Sequence, residues 1–210
     1  MKWKHYLSEL IIVIVGIVIS LAINDRIESY KESKIERKHL QRFLDDINID
    51  IKSLDTSIAY GLRYLKNTEK ILKNTNSDSL VIWITHLSEI NYFKPKNVTY
   101  LTVIQSGDIK VMNKYHILER IVNLYNDYDI LGNQEKNHEE HIKTHIINYI
   151  YSNIDISSGR FIKPKNMMDI KNIVGSQNIM MKSILQNYRD TQKNVIKLKE
   201  ILMQELEIKP

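Results

Sequence analysis

Leu10-Ile-Ile-Val-Ile-Val-Gly-Ile-Val-Ile-Ser-Leu-Ala-Ile23 carries no charge, and Ile, Val and Leu fill almost every position. At roughly −0.3 to −0.6 kcal/mol for each such residue at the centre of a bilayer, the run gains several kcal/mol on insertion. A helix from Tyr6 to Asn24 would be about 28 Å long, close to the hydrocarbon thickness of about 30 Å. The favoured reading is a membrane anchor over residues 1–24. Two other readings compete. A buried core helix is one, but no other stretch is so uniformly apolar and this one has no polar face. A cleaved signal peptide would use Met1-Lys-Trp-Lys-His5 as its basic region and the small residues around Ser20-Leu21-Ala22 as its processing site, leaving Ile23 as the mature N-terminus. Against cleavage, the helical pattern continues through Ile23, Ile27 and Tyr30 with no breaker.

Beyond the anchor about 185 residues remain, enough for one domain with its own core. Six glycines and three prolines are few, which argues for long helices over a turn-rich β architecture. There is no cysteine, so disulfides, thiolate zinc sites, thiol catalysis and a lipid-modified cysteine anchor are all excluded. The net charge of +5 comes from 30 basic and 25 acidic residues that alternate along the chain. That pattern fits solvated helix faces, and no nucleic-acid partner is expected.

Residues 25–52 read as a juxtamembrane helix, mixed in charge and free of Gly and Pro. From Leu40 a heptad begins: Leu40, Leu44, Ile47, Ile51, Leu54, Ile58, loosely extended by Gly61, Leu65 and Leu72. Such a seam packs against helices of the same chain or of a neighbour; beside a membrane, it suggests a homo-oligomer. Asn74-Thr-Asn-Ser-Asp78 ends the pattern, and residues 53–210 are expected to form a helical bundle with which the juxtamembrane helix packs. A short helix is expected over Ser79 to Asn91, and another ending at Ser106-Gly107, with Asn113 as the N-cap of the next. One long helix should then run from Lys114 to Ile154, kinked near Gly132, with Ile117, Ile121, Leu124, Tyr128 and Leu131 inward. The last helix should span about Asp169 to Leu206, with Val174, Met181, Ile184, Tyr188, Val195, Leu198 and Leu202 on its inner face. Lys-Pro-Lys-Asn occurs twice, at Lys94–Asn97 and Lys163–Asn166, a possible trace of duplication.

Two stretches together resemble a large family of uncharacterised single-pass membrane proteins of Bacteroidota. They are Ser8 to Asn24, and Leu101-Thr-Val-Ile-Gln-Ser-Gly-Asp-Ile-Lys-Val-Met-Asn113 followed by Leu118, Ile121 and Tyr125. Asp25-Arg26 departs from the Asn-Trp usual in that family. The resemblance implies a helical domain behind one membrane helix, and it implies no activity.

The one constellation with chemical promise is His138-Glu-Glu-His-Ile-Lys-Thr-His145. On a regular helix His138, His141 and His145 fall within an arc of about 60°, where three imidazoles could hold Zn²⁺. The zinc-protease pattern is absent, because it needs Glu directly after the first of two histidines four apart. His138 and His145 share a seam with Ile142 and Tyr149, so a structural role weighs more than a metal site. Asp45-Asp46 and Asp127/Asp129 read as solvated carboxylates, and Ser106-Gly107 and Ser158-Gly159 as turns. No residue is assigned to catalysis or cofactor binding.

The sequence therefore predicts an all-α protein: one transmembrane helix continuing into a long-helix, coiled-coil-like bundle. Its expected role is a non-catalytic, membrane-tethered interaction or sensor module. Its expected partners are the lipid bilayer and either a second copy or another helical membrane protein. The alternative is a metal-dependent hydrolase using the histidine face. The expected location is the inner membrane with the domain extracytoplasmic. Long domains translocate largely regardless of charge, although Arg26, Lys31, Lys34, Arg37 and Lys38 pull the other way.

Overall fold

The computed structural model describes residues 2–164 and 166–208. Met1 of the basic tail, Lys165 of the second Lys-Pro-Lys-Asn copy and residues 209–210 lie outside them. The chain is all-α, a long apolar N-terminal helix leading into a helical domain. Helix α1 runs unbroken from Lys2 to Lys73, about 108 Å at 1.5 Å per residue. It passes straight through positions 24 and 52. No proline interrupts it, and it stops where Asn74 to Asp78 supply turn residues.

Leu10 to Ile23 lie bare, with large side chains between 49% (Val15) and 69% (Ile12) exposed. Exposure persists to Ile35, and from Glu36 onward one face of α1 is covered. Leu40, Phe43, Leu44, Ile47 and Leu54 are all buried. Each such side chain contributes about 1.5–3 kcal/mol on burial.

After α1 come α2 (Leu80–Thr85), a 3₁₀ turn at His86–Ser88, and an extended segment through residue 97. α3 (Val98–Ser106) ends on Gly107, whose φ of 78° is the left-handed cap expected there. A 3₁₀ turn (Asp108–Val111) leads to α4 (Tyr115–His141), a π turn (Ile142–Ile147) and α5 (Asn148–Asn153). Strands β1 (Ile154–Asp155) and β2 (Arg160–Phe161) form a two-rung antiparallel hairpin, with Ile154 opposite Phe161. α6 (Met167–Glu205) closes the domain.

The core is a sandwich of α1, α6 and α4. Hydrogen bonds fix the directions: Arg37 reaches the Leu206 carbonyl, Gln192 donates to Asp55, and Asn178 donates to Thr68, so α6 runs antiparallel to α1. Along α4 the bonds are Lys114–Glu205, Asn194–Asp127 and Asn187–Gln134, so α4 is antiparallel to α6 and parallel to α1. The Leu40–Ile58 seam is thus occupied within the chain by α6. It is an intrachain core, and an oligomer through that seam is not carried by this packing. At Gly61 the two helices pack tightly, and an added Cβ would meet Leu185 Cδ2 at 2.7 Å.

Three local expectations need correction. α4 runs straight through Gly132, and the irregularity falls later, at the π turn. Gly132 has open space around it, so it lowers helix propensity without forcing a bend. Asn113 caps nothing; the helix begins after Lys114, whose N–H donates to Glu36 on α1 at 2.9 Å. The segment expected to be helical to Asn91 leaves the helix at Ser88.

Candidate functional site

The inward stripe of α4 reads Leu124, Tyr128, Leu131, Glu135, His138, Ile142, in alternating steps of four and three. Two of its interior positions are therefore polar. Glu135 is 6% exposed and His138 1%. On α1 the same spacing runs Glu36, Leu40, Phe43, Ile47, Asp50, Leu54, with Glu36 and Asp50 both buried. Polar groups at such positions need partners, and here Asp50, Glu135 and His138 each take one from a single segment of chain.

That segment is Tyr92 to Lys96. Phe93 N donates to Glu135 Oε1 at 3.1 Å, and Lys96 N donates to Asp50 Oδ1 at 2.7 Å. Tyr125 Oη donates to the Lys96 carbonyl, and Tyr92 Oη pairs with His138 Nδ1 at 2.7 Å. Thr99 N, in the first turn of α3, donates to Asp46 at 3.3 Å. Acids on α1 and α4 thus replace the hydrogen bonds that a strand neighbour would have supplied, and they strap an extended loop across the bundle. Tyr128 Oη also donates to Asp50, and Tyr188 Oη to Glu135. Elsewhere on α1, buried His39 pairs with the part-exposed Asp108 at 2.9 Å.

Burial sets the ionisation. It pushes the Asp50 carboxyl up to about 6, against the Lys96 N–H and the Tyr128 hydroxyl, which pull it down. It also raises Glu135, opposed by Tyr188 and the Phe93 N–H. It lowers His138 to about 4, with Gln177 opposing and the neighbouring His141 adding to the fall. His138 is neutral at pH 7.

The three histidines part company. His138 is committed to Tyr92, the Tyr64 and Tyr92 rings lie edge to face with it at centroid separations of 5.5 and 5.9 Å, and its Nε2 has no hydrogen-bond partner. His141, half-buried, meets Gln177 Nε2 at 2.8 Å and Ser176 Oγ at 3.3 Å. His145 is exposed, its ring 4.3 Å from that of His141. The π turn falls between His141 and Asn148 and offsets the helical phase, so the 60° arc of a regular helix does not apply at His145. Among the described residues no three His, Asp or Glu side chains are grouped to hold a metal ion.

Of the carboxylate pairs read as solvated, Asp45 and Asp129 are exposed, whereas Asp46 and Asp127 each accept a hydrogen bond from another element. Asp50, Glu135, Tyr92 and Gln177 were not singled out from the sequence. For Asp50 and Glu135 a signal existed: each is an acid on a largely apolar stripe. Between the strapped segment and α4 lies a recess of about 460 Å³, and a second of about 290 Å³ is lined by Tyr60, Tyr64 and Arg63 beside His86.

Fold and site together define an all-α domain of long antiparallel helices with a polar-strapped loop, carried on a helix long and apolar enough to cross a membrane. No family model, curated protein or solved structure matches the chain.

Proposed function

We propose that this chain is a single-pass inner-membrane protein whose helical domain is a non-catalytic interaction or sensor module. One observation carries the reading: the bare apolar run Leu10–Ile23 and the buried face from Glu36 to Ile71 belong to a single helix. A tilt or rotation of the membrane segment would pass rigidly into the core, and a change at the domain would pass back. The bilayer is one partner. The other is a second copy or another helical membrane protein, meeting surfaces other than the Leu40–Ile58 seam. Nucleic acid is not a partner. The resemblance to the Bacteroidota family supports the same arrangement, and the domain is taken to be extracytoplasmic.

Intact mass of the membrane-extracted protein tests the anchor. The full-length mass is expected in the carbonate-resistant fraction, and loss of residues 1–22 would replace the anchor with a cleaved signal. Fusions at the C-terminus test sidedness. Alkaline phosphatase should be active there and green fluorescent protein dark; the reverse puts the domain in the cytoplasm.

A second reading, metal binding or metal-dependent hydrolysis at the histidine face, draws on the proximity of the His141 and His145 rings. Elemental analysis of purified protein, with and without His141→Ala and His145→Ala, separates the two. Bound metal lost in both variants favours the second reading.

A further inference from the structure

Between the apolar run and the domain, α1 passes through an uncovered collar, residues 24–35. Charges of both signs mix along its sequence but separate in space. At about 100° per residue, Arg26, Lys31, Lys34, Arg37 and Lys38 fall within an arc of about 140°. Asp25, Glu28, Glu32 and Glu36 fall within about 80° on the other side. Ile27 and Tyr30 are the only hydrophobic side chains from Asn24 to Lys34. Both lie in the basic arc, 49% and 71% exposed. The acidic side is the one the domain covers, since Glu36, Leu40, Phe43 and Ile47 continue it and are buried. The basic side therefore faces away from the domain. Its five cations are exposed, and Arg37 is tied to the Leu206 carbonyl. Among the described residues no ion pair engages Arg26, Lys31, Lys34 or Lys38.

Position along the helix supplies the occupant. Arg26, Lys31 and Lys34 stand about 5, 12 and 17 Å beyond Ile23 along the axis, and the headgroup layer is about 5–8 Å deep. Helical side chains lean towards the N-terminus, which here means towards the bilayer. Arg26 and Lys31 thus reach headgroup phosphates directly, and Lys34 lies within a Debye length of about 8 Å of them. Tyr30, with an apolar ring and a polar tip, suits the same interface. We propose that the basic face of the collar docks on the headgroups of anionic phospholipids. A second copy is the poorer occupant, because a two-fold axis along the membrane normal would set this face against itself, cation against cation. Because α1 is unbroken, the docked face sets the direction in which the domain leans. The inference rests on α1 crossing a bilayer, and it adds the lipid class that the collar selects.

The test is electron paramagnetic resonance on the full-length protein reconstituted in phosphatidylcholine vesicles at about 0.1 M salt. Trace spin-labelled phosphatidylglycerol and spin-labelled phosphatidylcholine are the two probes, and the motionally restricted fraction of each reports its association with the protein. A preference of about fivefold for the phosphatidylglycerol probe is expected, falling towards one at about 1 M salt. The triple variant Arg26→Gln, Lys31→Gln, Lys34→Gln should lose that preference, with the restricted phosphatidylcholine and the thermal melt of the domain unchanged. The double variant Lys2→Gln, Lys4→Gln, at the other end of the anchor, should keep it. Restricted phosphatidylcholine without a preference overturns the docking and leaves the anchor standing. No restricted lipid of either kind overturns the anchor, and the docking with it. A preference that survives the triple variant, or is lost in the double one, also overturns the docking. If the wild type shows no preference and the triple variant alone has a smaller particle mass in detergent, the face belongs to a second copy and the docking is wrong.

Discussion

His138 sits in the bundle interior, where a charged imidazole has no counter-ion. Its folded pKa of about 4 lies below the ordinary 6.5. Between those values the unfolded chain binds more protons, so this residue's contribution to stability is full above about pH 6.5 and is lost as pH falls towards 4. The stability advantage of the wild type over His138→Gln should therefore shrink by about 2 kcal/mol between pH 7 and pH 4.5, measured by urea denaturation. A gap independent of pH would show that the ring is not held neutral. Asp50 acts in the opposite sense. Its folded pKa of about 6 exceeds the ordinary 3.8, so its contribution is fullest below that value and is lost as pH rises through 6. Two glycines make a second contrast at this scale. Gly61→Ala gains about 1 kcal/mol in helix propensity, but its Cβ would meet buried Leu185 at Cδ2 and Cγ, 2.7 and 2.9 Å away. Overpacking of that kind costs about 1–3 kcal/mol, so a net loss near 1 kcal/mol is expected. Gly132→Ala meets nothing and should gain about 1 kcal/mol. Thermal melts that rank the two the other way would refute the α1–α6 approach. Neither glycine's surroundings could be read from the sequence, because both stand in ordinary helical pattern.

Among elements, α6 was the most legible. Its inner face of Val174, Met181, Ile184, Tyr188, Val195, Leu198 and Leu202 is buried throughout, as the 3.6-residue period required. Its start is set by Asn166, whose side chain accepts from Met168 N at 3.1 Å and Asp169 N at 3.4 Å. Asn166→Ala should cost about 1 kcal/mol, read as a lowered melting midpoint. Asn113→Ala should cost less than about 0.5 kcal/mol, since that side chain caps no helix. Equal losses would contradict the cap assignment. Both copies of Lys-Pro-Lys-Asn end on the residue preceding a helix. Asn97 makes no side-chain cap bond, and Asp46 from α1 serves Thr99 instead. The substitution of a distant carboxylate for a local cap leaves no mark within the segment itself. The π turn was likewise hidden: Ile142 to Ile147 contains neither proline nor glycine.

For the whole molecule, the decisive feature is that α1 is both the apolar N-terminal run and one of the three long helices that form the core. Leu44 is 4% exposed within the seam covered by α6. Leu44→Asp would bury an unpaired carboxylate and should abolish the cooperative melt, whatever the oligomeric state. If that variant kept its fold and only halved the particle mass in detergent, the seam would be a contact between copies.

The all-α architecture, the apolar helix and the inward stripes of α1, α4 and α6 were determined by the sequence alone. They depend on local periodicity and on the scarcity of glycine and proline, which neighbours in space do little to alter. What occupies the Leu40–Ile58 seam, and which polar residues are buried, was decided only by the tertiary structure. A heptad specifies that a face will be covered and is silent about whether the cover is α6 or another chain. An acid on an apolar stripe looks the same until the fold brings the backbone N–H of Phe93 or Lys96 to it across more than forty residues. The metal arc assumed that one helical phase held from His138 to His145, and the backbone changes phase between them.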